Sequence, residues 1–273
     1  MKERIITGAL LAGVIAIFYF LGGYYYIMQL GLSVIGFFGT QELLSITHKN
    51  KKFVYDESIA YSLYVIVILL PWVSIFKWAK ILILVANIVM LLKFIFNKKN
   101  CVEQISYSYL VMLIFGGALA SISYFYTVNK FFILFFMLIA FGSDTFAYFT
   151  GYFFGKHKLI PWVSPKKTIE GSIGGVLGAI IAVFVIQYLY MNFISPEIPT
   201  TINVFSNTGI TIAIIVLLSI FSQCGDLFFS KIKRYFDVKD YGSLLPGHGG
   251  IIDRMDSLVF VSVIFLLVHF LIM

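Results

Sequence analysis

The residues able to do chemistry gather in one stretch, Ser230 to Asp256, which reads S-K-I-K-R-Y-F-D-V-K-D-Y-G-S-L-L-P-G-H-G-G-I-I-D-R-M-D between two apolar runs. Its carboxylates carry the first argument. Asp253 and Asp256, three apart, share a face of any helix that starts there. Asp226 lies just upstream in Gln223-Cys224-Gly225-Asp226, and Ser230, Lys233 and Arg234 follow it at i+4, i+7 and i+8, again on one face. Two carboxylates from the facing ends of two helices, completed by substrate phosphate oxygens, make a typical Mg²⁺ site, which takes hard oxygen ligands and keeps several waters. The rival reading is that these acids cap helices or pair with Arg234 and Arg254. For Asp240 and Asp256 both readings stand. For Asp226, inside an apolar segment, the functional one is favoured, because an unpaired buried charge is too costly to keep.

The glycines and cations point the same way. Pro246-Gly247-His248-Gly249-Gly250 runs into the next apolar segment. Unobstructed backbone N–H groups at a helix start suit a phosphate, although a tight turn explains the glycines equally well. Lys166, Lys167, Lys231, Lys233, Arg234, Lys239 and Arg254 could clamp a polyphosphate and stabilise a leaving diphosphate. Each taken singly is an ordinary cytosolic-face residue, and only the convergence with acids and glycines lifts them. His248 suits a hydrogen-bond donor better than a base. Gly151 to His157 lacks Walker spacing, and no G-x-G-x-x-G occurs.

Two upstream segments belong with this stretch: Gly142-Ser143-Asp144-Thr145 continuing to Gly155-Lys156, and Ser164-Pro165-Lys166-Lys167-Thr168-Ile169-Glu170-Gly171. Gly171, Gly174, Gly175 and Gly178 have the small-xxx-small spacing of helix packing. The run Phe131 to Phe141 reads as core or lipid-facing. Glu42 is the one acid deep in an apolar segment of residues 1–130, and it calls for a polar partner on another helix.

These residues must be held by membrane helices. The chain has 273 residues, 60% hydrophobic and 12% charged, about half the charge of a soluble domain at about 25%. Apolar windows of about 20 residues predict an all-α polytopic protein of nine spans, near 5–21, 24–46, 58–76, 79–97, 104–127, 130–154, 173–194, 208–230 and 251–272. Lys2 and Arg4 before the first resemble a signal peptide, but no small-residue cleavage site follows, so a retained helix is expected. Of the 20 Lys and Arg, all but Lys77, Lys80 and Lys130 fall on or just inside one side. The positive-inside rule makes that side cytosolic, with the N-terminus on it and the C-terminus outside. The net charge of +7 then reflects topology and an anionic substrate. Nucleic acid is not an expected partner, because no basic stretch with interleaved aromatics lies outside a span. Cys101 and Cys224 are not expected to pair. Residues 1–130 read as scaffold and 131–273 as the catalytic region, with cytosolic-face loops at 155–172 and 231–250.

The pattern S-x-I-K-R-x₄-K-D-x-G-x₂-L-P-x-H-G-G-I-x-D-R-M-D over Ser230 to Asp256 resembles the signature of phosphatidate cytidylyltransferases, the CDP-diacylglycerol synthases. S-D-T-x-A-Y-F-x-G at Ser143 to Gly151 and S-P-K-K-T-I-E-G-S-I-G-G at Ser164 to Gly175 are similar to that family too, in the same order. The resemblance implies that CTP and phosphatidic acid give CDP-diacylglycerol and diphosphate with Mg²⁺ and a second cation. It implies a multi-pass plasma-membrane enzyme, a homodimer among membrane lipids, with its active site facing the cytosol. It places the metals on Asp226 and Asp253, with Lys239 as a further catalytic residue. Lys166, Lys167, Lys233, Arg234 and Arg254 become phosphate clamps, with Ser230, His248, Gly249 and Gly250 also binding substrate. Asp144, Glu170, Asp240 and Asp256 take supporting or cytidine-contacting roles. The rivals are a CTP-dependent polyprenol kinase, a synthase acting on an ether-linked lipid and, from another class, a transporter. A transporter would place its ionisable residues near the midplane in related halves, whereas these crowd one end of one half.

Overall fold

The computed structural model describes residues 25–49, 102–193, 207–244 and 249–272, with single helical positions at 85, 88, 89 and 92. Among the described residues, seven α-helices are labelled in chain order: α1 (Tyr25–Lys49), α2 (Val102–Val111), α3 (Gly117–Val128), α4 (Phe131–Phe154), α5 (Ile169–Phe193), α6 (Thr208–Tyr235) and α7 (Ile252–Ile272). A π-helical turn, Met112–Gly116, joins α2 to α3.

Among the described residues, six helical segments are long and apolar enough to cross a membrane: Ile27–Thr47, Ser106–Val128, Phe131–Phe154, Ile169–Leu189, Thr208–Tyr235 and Ile252–Leu271. They coincide with the predicted spans near 24–46, 104–127, 130–154, 173–194, 208–230 and 251–272. The spans expected near 5–21 and 58–76, and most of the one near 79–97, lie outside the described residues.

The all-α expectation needs one correction. Between α4 and α5 the chain forms an antiparallel hairpin of β1 (Lys158–Ile160) and β2 (Ser164–Thr168), pairing Lys158 with Thr168 and Ile160 with Ser164. The sequence reads there as loop because Pro161 and Pro165 each lack an N–H and the strands show no apolar alternation. What fixes the hairpin lies at its base. Thr168 is the N-cap of α5, its Oγ1 accepting from the Gly171 amide at 3.1 Å. Glu170 reaches back to accept from the amides of Lys156 at 3.1 Å and His157 at 3.3 Å, and sits 2.7 Å from His157 Nδ1.

The chain divides into two compact units, residues 1–124 with 235–255 and residues 125–234 with 256–273. In the first, Leu32, Leu43, Leu44, Phe115, Leu119, Phe236 and Tyr241 are buried. Gly39 on α1 admits the Phe115 ring, since a Cβ there would lie 2.5 Å from it. Tyr107 donates to the Leu43 carbonyl at 2.8 Å and packs edge-on against Phe236 at 5.2 Å. Asp237 takes φ of 51°, turning the chain in the left-handed conformation that commonly ends a helix.

In the second unit Phe125, Phe132, Phe136 and Phe265 form an aromatic core, with Phe125 and Phe265 centroids 4.8 Å apart. The Phe-rich start of α4 is thus core, while Phe141 at its far end is exposed. α4 and α5 pack through the expected glycines. A Cβ on Gly174 would collide with Thr150, one on Gly178 with the Phe146 ring, and one on Gly171 with the Ala147 carbonyl. Close backbone approach through small residues is how helices associate where lipid supplies no hydrophobic drive.

Candidate active site

The second unit brings the upstream motifs to the acid of α6. Lys167 on β2 sets its ammonium 2.5 Å from Asp226 Oδ2, with about a quarter of each side chain exposed (24% and 26%). Ser230, one turn on, donates to Asp226 Oδ1 at 3.3 Å, so the predicted helical face is realised. Successive strand residues point to opposite sides, and Lys166 is accordingly exposed. Two lysines that look equivalent in sequence are therefore not equivalent.

Two more carboxylates join this pair. Asp144 on α4 accepts from the Ser257 hydroxyl at 3.0 Å, and Asp256 on α7 accepts from the Ser257 amide at 2.8 Å. Asp144, Asp226 and Asp256 are close enough to feel one another's charge, which Lys167 offsets at Asp144 and Lys233 at Asp256. Gly225 permits this: a Cβ there would sit 2.7 Å from the Asp256 carbonyl and 3.0 Å from the Phe260 ring. α6 and α7 meet at that point with nothing between their backbones.

Beneath the cluster lies a polar layer tying α4, α5 and α6. Ser219 donates to the Ser143 hydroxyl at 3.0 Å, and Gln223 donates to Ser143 Oγ at 3.3 Å and to the Ser172 carbonyl at 3.1 Å. Ser172 returns a bond to Gln223 Oε1 at 2.5 Å. Neither this layer nor Ser257 emerges from the sequence reading. A lone Ser or Gln in an apolar helix has no spacing signal, and only the facing helix reveals its partner.

The first unit holds the rest of the signature. Asp253 Oδ2 accepts from the amides of Tyr241 at 2.9 Å and Gly250 at 3.0 Å, closing the loop onto the start of α7. Gly249 has φ of 82° and faces the Asp253 carboxylate. Glu42 of α1, only 8% exposed, accepts from the Ile252 amide at 3.1 Å. The partner that its burial demanded is thus a helix start. Lys239, Asp240 and Arg254 are exposed here, as is Arg234 in the second unit, whereas Lys233 is half-buried. His248 lies outside the described residues. Glu170 is placed in the hairpin clasp rather than in the carboxylate cluster.

The donor chemistry can be tested against Mg²⁺. Around Asp226 it consists of carboxylate and hydroxyl oxygens, which fits a hard divalent cation, and Asp226 Oδ2 already holds a cationic group in Lys167. Among the described residues no three His, Cys, Asp or Glu side chains form a ready-made metal cage. A magnesium held partly by substrate phosphates needs only one or two of them.

A profile of the cytidylyltransferase family matches residues 2–272. Similar proteins include a phosphatidate cytidylyltransferase of Staphylococcus aureus, 33% identical over 96% of each chain. One of Staphylococcus epidermidis is 45% identical over 48% of this chain and 45% of its own length, so that match spans less than half of the relative. One of Staphylococcus haemolyticus is 43% identical over 50% of each chain. With the family profile matched almost from end to end, the chain belongs to the cytidylyltransferase family, whose members are nucleotidyl-transferring enzymes.

Proposed function

We propose that the protein is a phosphatidate cytidylyltransferase: a phosphate oxygen of phosphatidic acid attacks the α-phosphorus of CTP, the bond from that phosphorus to the bridging oxygen breaks, and diphosphate leaves with CDP-diacylglycerol formed. The observation that carries the reading is the meeting of three separate motifs in one cluster, Asp144 from the first, Lys167 from the second, and Asp226, Ser230 and Asp256 from the third and its approach. The relatives' names supply the lipid and nucleotide.

Both substrates are anions, so the protein must suppress their repulsion and hold them in line. Lys167 and Lys233 provide buried-side positive charge for the triphosphate, and the exposed Lys166, Arg234, Lys239 and Arg254 draw in CTP and the lipid headgroup. Ser230, His248, Gly249 and Gly250 bind substrate, with His248 and the Gly249 amide as the donors to phosphate, since the Ser230 hydroxyl and the Gly250 amide already donate to Asp226 and Asp253. Asp226 and Asp253 are the residues that would hold Mg²⁺, with Asp144, Asp240 and Asp256 supporting them or meeting cytidine. The ion would neutralise triphosphate oxygens as diphosphate departs. A second cation, a homodimer, nine spans with the N-terminus inside and a cytosol-facing site complete the proposal; the bias of Lys and Arg to one side supports the orientation.

The deciding experiment supplies purified protein in detergent with CTP, Mg²⁺ and, in separate arms, phosphatidic acid, a polyprenol or an ether-linked lipid. CDP-diacylglycerol with equimolar diphosphate is expected. Release of CDP with phosphorylation of a polyprenol, or transfer only to an ether-linked lipid, would replace this reading with a rival.

A further inference from the structure

The signature stretch contains two glycines whose conformations do not require glycine. Gly242 and Gly250 have no positive φ. A Cβ on either would instead run into the same object, the Glu42 carboxylate of α1. That carboxylate also accepts from the amide of Ile252, the first residue of α7, at 3.1 Å and across 210 residues of sequence. Asp253, the next residue, binds the amides of Tyr241 and Gly250. The two acids interleave: Asp253 holds 241 and 250, while Glu42 fills the space beside 242 and 250 and caps 252. A carboxylate at a helix N-terminus meets both unsatisfied N–H groups and the positive end of the dipole. Keeping an acid 8% exposed inside a helix that is otherwise long and apolar enough to span a membrane is costly, and a purely structural cap could be a serine or asparagine at the helix start itself.

We infer that Glu42 is a positioning residue for cytidylyl transfer, fixing the first turn of α7 and with it the carboxylate of Asp253; this rests on the proposed function above. It acts by holding Gly242, Gly250 and the Ile252 amide in place.

Four single substitutions and one double, all in detergent, test it. Glu42→Ala and Glu42→Asp, the latter too short to reach, should lower kcat per folded molecule by about 10- to 100-fold, the scale for a misplacement of about 1 Å. KM for CTP should change less than about threefold, since no binding contact is lost. Glu42→Gln keeps the shape and an acceptor oxygen and should retain kcat within about threefold. Gly250→Ala should be damaging alone but add little in the Glu42→Ala background, where the added methyl has room, a coupling that only direct contact produces. Hydrogen exchange at the Ile252 amide should accelerate in Glu42→Ala. A lowered Tm with wild-type kcat per folded molecule would make Glu42 merely structural and overturn the inference, as would additive effects of the Gly250 and Glu42 changes. Unchanged exchange at Ile252 in an active enzyme would overturn the clasp alone. A wild type with no transfer activity would overturn the proposed function itself, and the catalytic part of this inference with it.

Discussion

Replacing Asp226 by Asn separates folding from function, because the structure sets different magnitudes for the two. Asp226 and Lys167 are 2.5 Å apart, a spacing at which unit charges attract by roughly 7 kcal/mol at an effective dielectric of about 20. Most of that gross attraction is offset by the loss of hydration of both groups. With about a quarter of each side chain exposed (24% and 26%), the pair lies between surface bridges of about 0–1 kcal/mol and buried ones whose breakage costs about 3–5 kcal/mol. Asn retains a carbonyl for Lys167 and an amide for the Ser230 hydroxyl, so the net cost to the fold should be about 1–2 kcal/mol, on the order of 2–8 °C in Tm. Transfer should suffer far more. Removing the charge that would hold the metal should cut CTP-dependent diphosphate release by about 10³-fold or more, equivalent to about 4 kcal/mol. The assay pairs a coupled diphosphate measurement with thermal unfolding of the same detergent preparation. Turnover within tenfold of wild type would refute the assignment of Asp226. A Tm loss well beyond 10 °C would show that the pair is a fold element first.

Three further outcomes follow from the same geometry. Asp253→Asn keeps an acceptor for the Tyr241 and Gly250 amides, so it should fold normally yet lose at least about 100-fold in turnover; near-normal turnover would remove Asp253 from the metal site. Lys167→Gln should lower kcat/KM about tenfold more than Lys166→Gln, because only Lys167 is turned toward Asp226, and equal effects would contradict the strand alternation. Gly178→Leu, driven into Phe146, should cost on the order of 3 kcal/mol, read as lost yield of monodisperse protein.

How much of this was legible in the sequence differs by residue. The six described spans follow from apolar length alone, and the Asp226–Ser230 contact follows from helical spacing. The glycine packing of α4 on α5 was readable from its four-residue rhythm. The hairpin was not, because its order comes from Thr168 capping the next helix and from Glu170 clasping the Lys156 and His157 amides, rather than from β-propensity. The difference between Lys166 and Lys167 needed the strand. The partner of Glu42 lay 210 residues away on a backbone amide, a donor that every non-proline residue carries and that no side-chain pattern can mark.

The polar layer of Ser143, Ser172, Ser219 and Gln223 has a consequence for how the chain is made. Lipid tails offer these groups no hydrogen bonds, so α4 and α5 enter the bilayer with partners still to come. Ser172 waits 51 residues and Ser143 80 residues for Gln223, roughly 4–16 s for the longer interval at about 5–20 residues per second. During that time α4 has α3 to pack against through Phe125, but Ser143 and Ser172 lack their partner on α6. Release of α4 and α5 into lipid as a finished pair is therefore disfavoured, and the arrival of α6 seals the bundle. A nascent chain stopped before residue 223 leaves Ser143 and Ser172 without the Gln223 bonds that tie α4, α5 and α6 together.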